Sequence, residues 1–482
     1  MSGLAEIVAA LEHAGLLARA PGRLPRITGL SADTRRLAKG NLYCAVRGAA
    51  QDGHAFLAQA AQRGAAAALV ESPDGAGLPQ IVVSDGRRAA AVAAETWYGR
   101  PAERLELVGV TGTNGKTTSV TLARHVLSAR WPMGSIGTLG AFAPDGTAVE
   151  SEAGNLTTPG PIDLQATLAG LVAKGAGGAA MEVSSHSLDQ GRVDGLRFRA
   201  AIFTNLTRDH LDYHKTFEAY FAAKARLVRY LAPDGLVVAN AEDPAWEGLP
   251  AAPRRITFGE GRGDVRADGV RLDAGGSWFT LIAPDGAADV RLPLLGRFNV
   301  ANALGVAACA VGLGVPVTEV ALRLNGAPQV PGRMERIATQ PCTVLRDYAH
   351  TPDALERALE TLRPITPGRV LVVFGAGGDR DRGKRAPMGE IAVRLADVAI
   401  ATSDNPRTED PDRILDEVEA GMTAAPHHRD ADRRKAIALA LSLARAGDTV
   451  LLAGKGHETY QVVGTVKQPF DERDIVRELG AA

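Results

Sequence analysis

The segment Val108–Thr118, VGVTGTNGKTT, constrains the fold more than any other stretch of the chain. An apolar run, Leu105–Val110, breaks into glycine and ends in Lys-Thr-Thr, and the residues that follow, SVTLARHVL, carry helical periodicity. A strand, a tight glycine turn and a helix in that order aim backbone amides at an anion on the helix N-terminus. Gly112 and Gly115 permit the turn, with Thr113 and Asn114 inside it. Lys116 supplies a cation for nucleotide phosphates, and Thr117, followed by Thr118, supplies a hydroxyl for magnesium. The strict phosphate-loop pattern requires glycine where Val110 stands, so this is the shorter GTNGKTT form. A glycine loop alone marks no more than a strand-to-helix turn. The Lys-Thr ending is what points to a nucleotide.

Composition sets outer bounds. A chain of 482 residues is long enough for two to four domains, and 45% hydrophobic residues supply several cores. Lys plus Arg number 54 against 55 Asp plus Glu, a balance that argues for neither nucleic acid nor an anionic membrane surface. Cys44, Cys309 and Cys342 lie far apart, which excludes a local thiolate cluster and fits a reducing cytoplasm. The opening MSGLAEIVAALEHAGLLARA carries Glu6 and Glu12 and reads as an amphipathic helix rather than a signal peptide. The longest uncharged stretch, Phe298–Thr318, contains Asn299, Asn302, three glycines and Pro316, and reads as a buried helix rather than a membrane span.

Strand-like apolar runs alternate with Ala- and Leu-rich helical patterns throughout, so three unequal α/β units are expected, at 1–101, 102–331 and 332–482. The first holds strand candidates Leu42–Val46, Ala67–Val70 and Gln80–Val83. The second carries the phosphate loop and runs Gly178–Val183, Ala200–Asn205 and Gly235–Asn240, then alternates over Asp264–Leu295 as antiparallel strands do. In the third, VLVVFGAGG, DVAIATSD and DTVLLAGKG have the form of parallel strands ending in loops. Ligands gather at the carboxyl edge of such sheets, so those loops are the functional candidates. Glu182 ends its strand and suits a magnesium carboxylate or a helix cap. His210, in TNLTRDHLDYH, falls near the same edge. Lys224, in FEAYFAAKARL, reads on its own as an ordinary solvated helix lysine.

Eight segments occur in an order that resembles the Mur ligases: GVTGTNGKTT, MEVSSHSL, FTNLTRDHLDYH, GRFNVANALGVAA, VPGRMER, DYAHTPDAL, GAGGDRDRGKR and AGKGHE. Together they span most of the chain. The resemblance implies a three-domain fold: a UDP-binding α/β domain, a central P-loop mononucleotide-binding domain and a C-terminal Rossmann-like domain for the incoming amino acid. It implies ATP and Mg²⁺, an acyl phosphate on the D-glutamate of UDP-N-acetylmuramoyl-L-alanyl-D-glutamate, and attack by an amine, in a cytoplasmic monomer that makes peptidoglycan precursor. Lys116 would hold the nucleotide phosphates. Thr117, Glu182, His210 and Lys224, the last as a CO₂-derived carbamate, would position magnesium. Asn299 and Asn302 resemble adenine contacts, and Arg333 and Asp347 residues near ribose and phosphate. Thr34 in SADTRR would face the uridine side; Thr157, Thr158, Ser184, Gln190 and Arg192 would grip the acidic peptide and pyrophosphate. Many relatives carry Asn immediately before the paired threonines, whereas here Leu156 stands there and Asn155 one residue earlier.

The tetrapeptide Asp404, Asn405, Pro406 and Arg407 resembles the diaminopimelate signature of the branch that adds the third peptide residue. With Arg380, Arg407 can pair the second carboxylate that diaminopimelate has and lysine lacks. Asn405, Gly454 and Glu458 would complete the pocket, Glu458 accepting from the distal ammonium. In an unrelated chain DNPR would be a proline-stiffened turn with a solvated arginine. Three alternatives stand beside this expectation: a lysine-adding or folate-adding ligase of the same family, a P-loop switch ATPase, and a non-catalytic nucleotide-sugar sensor.

Overall fold

The glycine-flanked strand predicted at the phosphate loop forms at Glu106–Thr111 and sits inside a largely parallel sheet. Its neighbours are Gly178–Glu182 on one side and Phe198–Phe203 on the other, both parallel to it. Met133–Gly137 continues the sheet beyond the first, and Leu231–Asn240 beyond the second. After Glu106–Thr111 the chain therefore winds to one side and then crosses to the other, and the loop at the crossing point opens toward a ligand. Register fixes what meets there. Glu182 lies opposite Val110 and Phe203 opposite Thr111, so three strands deliver their last residues to one edge. The runs are apolar because both sheet faces are covered: Leu107, Met181, Val183, Phe198 and Phe203 share one buried cluster with Leu164, Leu168 and Trp246.

The computed structural model describes residues 3–48, 51–75, 77–150 and 156–481. By internal contacts the chain falls into two compact units, one comprising 1–266, 282–286 and 302–320, the other 267–281, 287–301 and 321–482. The first also holds a five-stranded sheet, in the order Leu17–Arg19, Gln80–Val83, Ala67–Val70, Leu42–Cys44, Leu30–Ser31. Only Leu17–Arg19 runs antiparallel to its neighbour. The expected N-terminal helix forms at Leu4–His13 and buries Leu4, Ile7 and Leu11. Helix Gly86–Trp97 starts where Asp85 accepts from the amides of Arg87 and Arg88. The alternating stretch after Asp264 forms strands Val265–Asp273, Gly276–Ala283 and Gly286–Leu292.

The second unit contains a six-stranded sheet in the order Glu335–Ala338, Thr343–Asp347, Thr449–Ala453, Val370–Phe374, Val398–Thr402, His428–Asp430, parallel except for the first strand. Successive residues point to opposite faces: Leu345, Val372 and Leu451 pack with helix residues Leu359 and Met388, while Val344, Val373 and Leu452 pack with Ile437 and Ile475. A hairpin, Tyr460–Val463 with Val466–Pro469, follows the last of the three predicted strands. The long uncharged stretch is a 16-residue helix, Arg297–Gly312, and among the described residues no helix is long and apolar enough to cross a membrane.

Candidate active site

Two clusters of the predicted residues form, one in each unit. In the first, Gly112 and Gly115 have φ of +150° and +84°, values a side chain resists. A Cβ on Gly112 would lie 1.9 Å from the Thr204 hydroxyl, and one on Gly115 2.2 Å from Asn302 Oδ1. Glycine is thus required by space as well as by torsion. The loop is braced from the neighbouring strand end: Thr113 N–H donates to Asn205 O at 2.7 Å, Asn114 N–H to Asn205 Oδ1 at 3.0 Å, and Thr204 Oγ1 to Asn114 O at 2.7 Å. Helix Lys116–Leu127 begins directly after it, with Thr117 and Thr118 buried in its first turn. Lys116 Nζ lies back across the loop, donating to the carbonyls of Gly112 at 2.9 Å and Thr113 at 2.7 Å.

Lys224 corrects the solvated-lysine reading. On helix Phe217–Ala225 it is 1% exposed, its Nζ donates to Gly112 O at 2.7 Å and stands 4.6 Å from the Tyr220 ring centre. Burial, and then the nearby Lys116 ammonium, push its pKa well below the usual lysine value, with Asp209 opposing. Lys116 and Lys224 converge on one carbonyl.

Glu182 is 1% exposed, and its carboxylate accepts from Thr138 N–H at 2.8 Å and Thr138 Oγ1 at 3.2 Å. Gly137 makes room for it, since a Cβ there would meet Glu182 Oε1 at 2.3 Å. Thr138 Oγ1 is also 3.2 Å from Thr157 Oγ1. Thr158 Oγ1 donates to Glu182 O, and Ser184 N–H to Thr158 Oγ1. Arg192 bonds Thr158 O and grips Gln190 Oε1 with two nitrogens. Thr157, Thr158, Ser184, Gln190 and Arg192 are therefore one connected surface beside Glu182. Thr34 is bonded elsewhere, to Gln59 Oε1 at 2.6 Å, and Asn155 lies outside the described residues.

His210 stands at φ +53° with its ring 4.8 Å from that of His186, which in turn lies 4.3 Å from Tyr213 and 5.4 Å from His214. Burial lowers the pKa of all three histidines, and the His186 value falls to about 4. Sequence reasoning missed this ring cluster. Its members come from segments about 25 residues apart that follow two strands flanking a third, and only the strand order reveals that they meet. Among the described residues no three His, Cys, Asp or Glu side chains converge as a metal site.

In the second unit, Asp404–Arg407 follows strand Val398–Thr402. Arg407 has φ +53°, its N–H bonds Val462 O at 3.0 Å, and Nη1 donates to Gly378 O at 2.8 Å. Gly378 N–H returns to Asn405 O at 2.9 Å, and a Cβ on Gly378 would stand 1.9 Å from Pro406 O. Asp379, also at positive φ, accepts from Thr408 N–H and Oγ1, and carries Arg380 next to it on an exposed loop. The buried Arg385 clamps this loop pair: it donates to Glu409 and Glu417 and to Gly377 O. Asn405 Nδ2 donates to Glu458 Oε2 at 2.8 Å. Gly454, at φ +116°, approaches Asp404 so closely that a Cβ would stand 3.3 Å from Oδ2. Asp347 accepts from Met334 N–H at 2.7 Å, and burial raises its pKa against the pull of Arg333, whose guanidinium covers the Tyr348 ring at 4.9 Å. Asn299 donates to Leu295 O, four residues back.

The chain matches the Mur ligase middle domain over residues 110–310, the Mur ligase glutamate ligase domain over 332–456, and the Mur ligase family catalytic domain over 26–98. A UDP-N-acetylmuramoyl-L-alanyl-D-glutamate–2,6-diaminopimelate ligase of Geobacillus kaustophilus is 44% identical over 95% of both chains. The protein of that name from Synechococcus elongatus is 46% identical over 94% of this chain and 93% of its own. The chain belongs to the Mur ligase family. A solved structure bearing the same ligase name is 34% identical, covers 95% of this chain and 96% of its own, and superposes with a TM-score of 0.67. The mixed α/β architecture is that of a Mur ligase, as expected from the ordered motifs. In this Mur ligase the matched middle domain contains the phosphate loop, Glu182, His210 and Lys224, and the matched glutamate ligase domain contains Asp404–Arg407 and Gly454.

Proposed function

We propose that this Mur ligase joins meso-diaminopimelate to the D-glutamate of UDP-N-acetylmuramoyl-L-alanyl-D-glutamate, with ATP converted to ADP and phosphate. The observation that carries the amino-acid assignment is the Asp404–Arg407 loop, where Arg407 is locked by Gly378 and Asn405 is bonded to Glu458. A glutamate carboxylate oxygen attacks the γ-phosphorus of ATP, releasing ADP and leaving an acyl phosphate. The neutral amine of diaminopimelate attacks the acyl carbon, and the tetrahedral species expels phosphate while the nitrogen loses its proton. Lys116 and the loop amides stabilise charge on the transferring phosphoryl group. By the family resemblance, Asn299 and Asn302 would contact the adenine, and Arg333 and Asp347 the ribose and phosphate. Thr157, Thr158, Ser184, Gln190 and Arg192 hold the acidic peptide, and Thr34 the uridine side. Arg407 and Arg380 pair the distal carboxylate, and Glu458 takes the distal ammonium; lysine would leave the arginines unsatisfied.

Glu182 suits a hard cation, being a buried carboxylate whose hydrogen bonds among the described residues come from Thr138 alone. One magnesium there would be held with Thr117 and nucleotide oxygens, His210 would serve a second, and both would neutralise charge at the phosphates. Lys224 would supply a further oxygen ligand as a carbamate: its amine, whose pKa burial lowers, would form an N–C bond to CO₂ and lose a proton. Residues 1–101, 102–331 and 332–482 would serve as the UDP, ATP and amino-acid domains of a cytoplasmic monomer. Its three cysteines are buried free thiols, in keeping with a reducing compartment.

The test is ADP release with Mg²⁺, ATP and the UDP-dipeptide, comparing meso-diaminopimelate with L-lysine and weighing the product. A tripeptide from diaminopimelate alone is expected. A lysine product would keep the ligase and overturn the reading of Arg407; ATP hydrolysis independent of both substrates would overturn the ligase itself.

A further inference from the structure

Lys455 follows Gly454 at the end of strand Thr449–Ala453 and has no role in the reaction outlined above. Its side chain is wholly buried, a costly place for an ammonium unless acceptors surround it. Those acceptors all belong to the amino-acid site. Nζ is 3.2 Å from Asn405 Oδ1, 3.5 Å from Glu458 Oε2 and 3.7 Å from Asp404 Oδ1. The Phe470 ring closes another side at 5.8 Å.

Two consequences follow from hydrogen-bond chemistry. An ammonium can only donate, and the backbone N–H of Val462 donates to the same Asn405 oxygen at 2.9 Å. Two donors at one end of the carboxamide fix which way it faces, so its nitrogen is turned to Glu458 Oε2, 2.8 Å away. That bond and the Lys455 contact both fall on Oε2 of Glu458. The second consequence is electrostatic. Asp404 is 6% exposed and its Oδ1 has no hydrogen-bond partner among the described residues, so the ammonium is what compensates that oxygen. Lys455 faces both carboxylates, and Lys384 acts on Asp404 as well, so Glu458 is the carboxylate that Lys455 and Asn405 present to an incoming cation.

We propose that Lys455 is a positioning residue of the amino-acid site, its buried ammonium holding the Asn405 carboxamide and the Asp404 and Glu458 carboxylates in the arrangement that receives the distal ammonium of the incoming diamino acid. The inference rests on the diaminopimelate reading of this pocket. Lysine is suited to the task because it is a compact point charge that can serve three acceptors at once.

The test is steady-state ADP release by the full chain carrying Lys455→Met, with each substrate varied in turn. Expected is a rise of about tenfold or more in the diaminopimelate KM, the loss typical of a charged hydrogen bond, with the KM values for ATP and UDP-dipeptide unchanged. Combining it with Glu458→Gln should cost less than the product of the two single effects, because both act through one carboxylate. Equal rises in all three KM values, or fully multiplicative effects, would mark Lys455 as a general packing residue and overturn the proposal. If the methionine variant does not fold, Lys455→Gln, which keeps a donor to Asn405 and removes the charge, carries the same test: a raised diaminopimelate KM alone supports the role, and an unchanged one overturns it. Failure of the wild-type chain to use diaminopimelate at all would instead defeat the reading on which the inference rests.

Discussion

The phosphate loop and the Asp404–Arg407 loop both follow a parallel strand, yet they are made from different parts of the chain. The first is backbone: glycines at positive φ, amides braced by Asn205, and carbonyls that receive Lys116 and Lys224. The second is side chain: Arg407, Asn405 and Glu458 are held by glycine carbonyls, by Lys455 and by the buried Arg385 with its two glutamates. A backbone cradle recognises what every nucleoside triphosphate shares. A side-chain cradle recognises what distinguishes one amino acid from another, and it needs a second layer of buried charge to stay in shape. On the proposed function, general chemistry and selectivity would thereby be separated within one chain.

If the separation holds, damage to the first region should stop turnover with every amino acid. Lys224→Ala should lower turnover by about 10³-fold or more, on the scale of losing an oriented charge at a transferring group, with partial rescue by formate or acetate. Full activity in the variant would remove the carbamate role. Damage to the second region should be selective: Arg407→Ala should reduce kcat/KM for diaminopimelate by about 30- to 1000-fold, equivalent to about 2–4 kcal/mol for a truncated charge pair, and leave the ATP KM in place. An unchanged preference over lysine would place selectivity elsewhere. A smaller effect tests the brace of Glu182. Thr138→Val removes one of its two hydrogen bonds and should raise the magnesium requirement by about tenfold, read from an Mg²⁺ titration of ADP release.

The smallest effect concerns pH, and both regions share it. His186 in the first unit and His457 in the second are each lowered to about 4, burial being the main cause. In the unfolded chain they titrate near the ordinary value of about 6.5. Between those values the unfolded state binds more protons, so stability is complete above about pH 6.5 and declines as pH falls toward 4. Replacing either histidine with glutamine should flatten the decline in urea midpoint between pH 7 and 5. Equal slopes for variant and wild type would deny that histidine its part.

The contrast also explains what could be read in advance. Gly112, Gly115, Lys116 and Thr117 are a local motif whose chemistry sits in consecutive residues, so no tertiary knowledge was needed. Strands such as Val370–Phe374 and Thr449–Ala453 were legible for the same reason, being short apolar runs ending in glycine-rich loops. Lys224 was not, because its helix has no marked apolar face and burial arises only when that helix packs beside the loop, more than 100 residues earlier in the chain. The His186, His210 and His214 cluster and the buried Lys455 needed strand order and register for the same reason. The positive φ of Arg407 and Asp379 went unread because it comes from partners on another loop rather than from residue type.

The ammonium of Lys116, folded onto the carbonyls of its own loop, has a consequence for affinity. If Lys116 holds the phosphates as proposed, an arriving triphosphate would not meet an idle cation; it would draw Lys116 away from the carbonyls of Gly112 and Thr113, at 2.9 and 2.7 Å. Binding is therefore an exchange of hydrogen bonds, and the surplus that favours the nucleotide comes from the charge of its phosphates. Each phosphate removed should weaken binding far more than any change to the base, and added salt should erode affinity for ATP much more steeply than for adenosine.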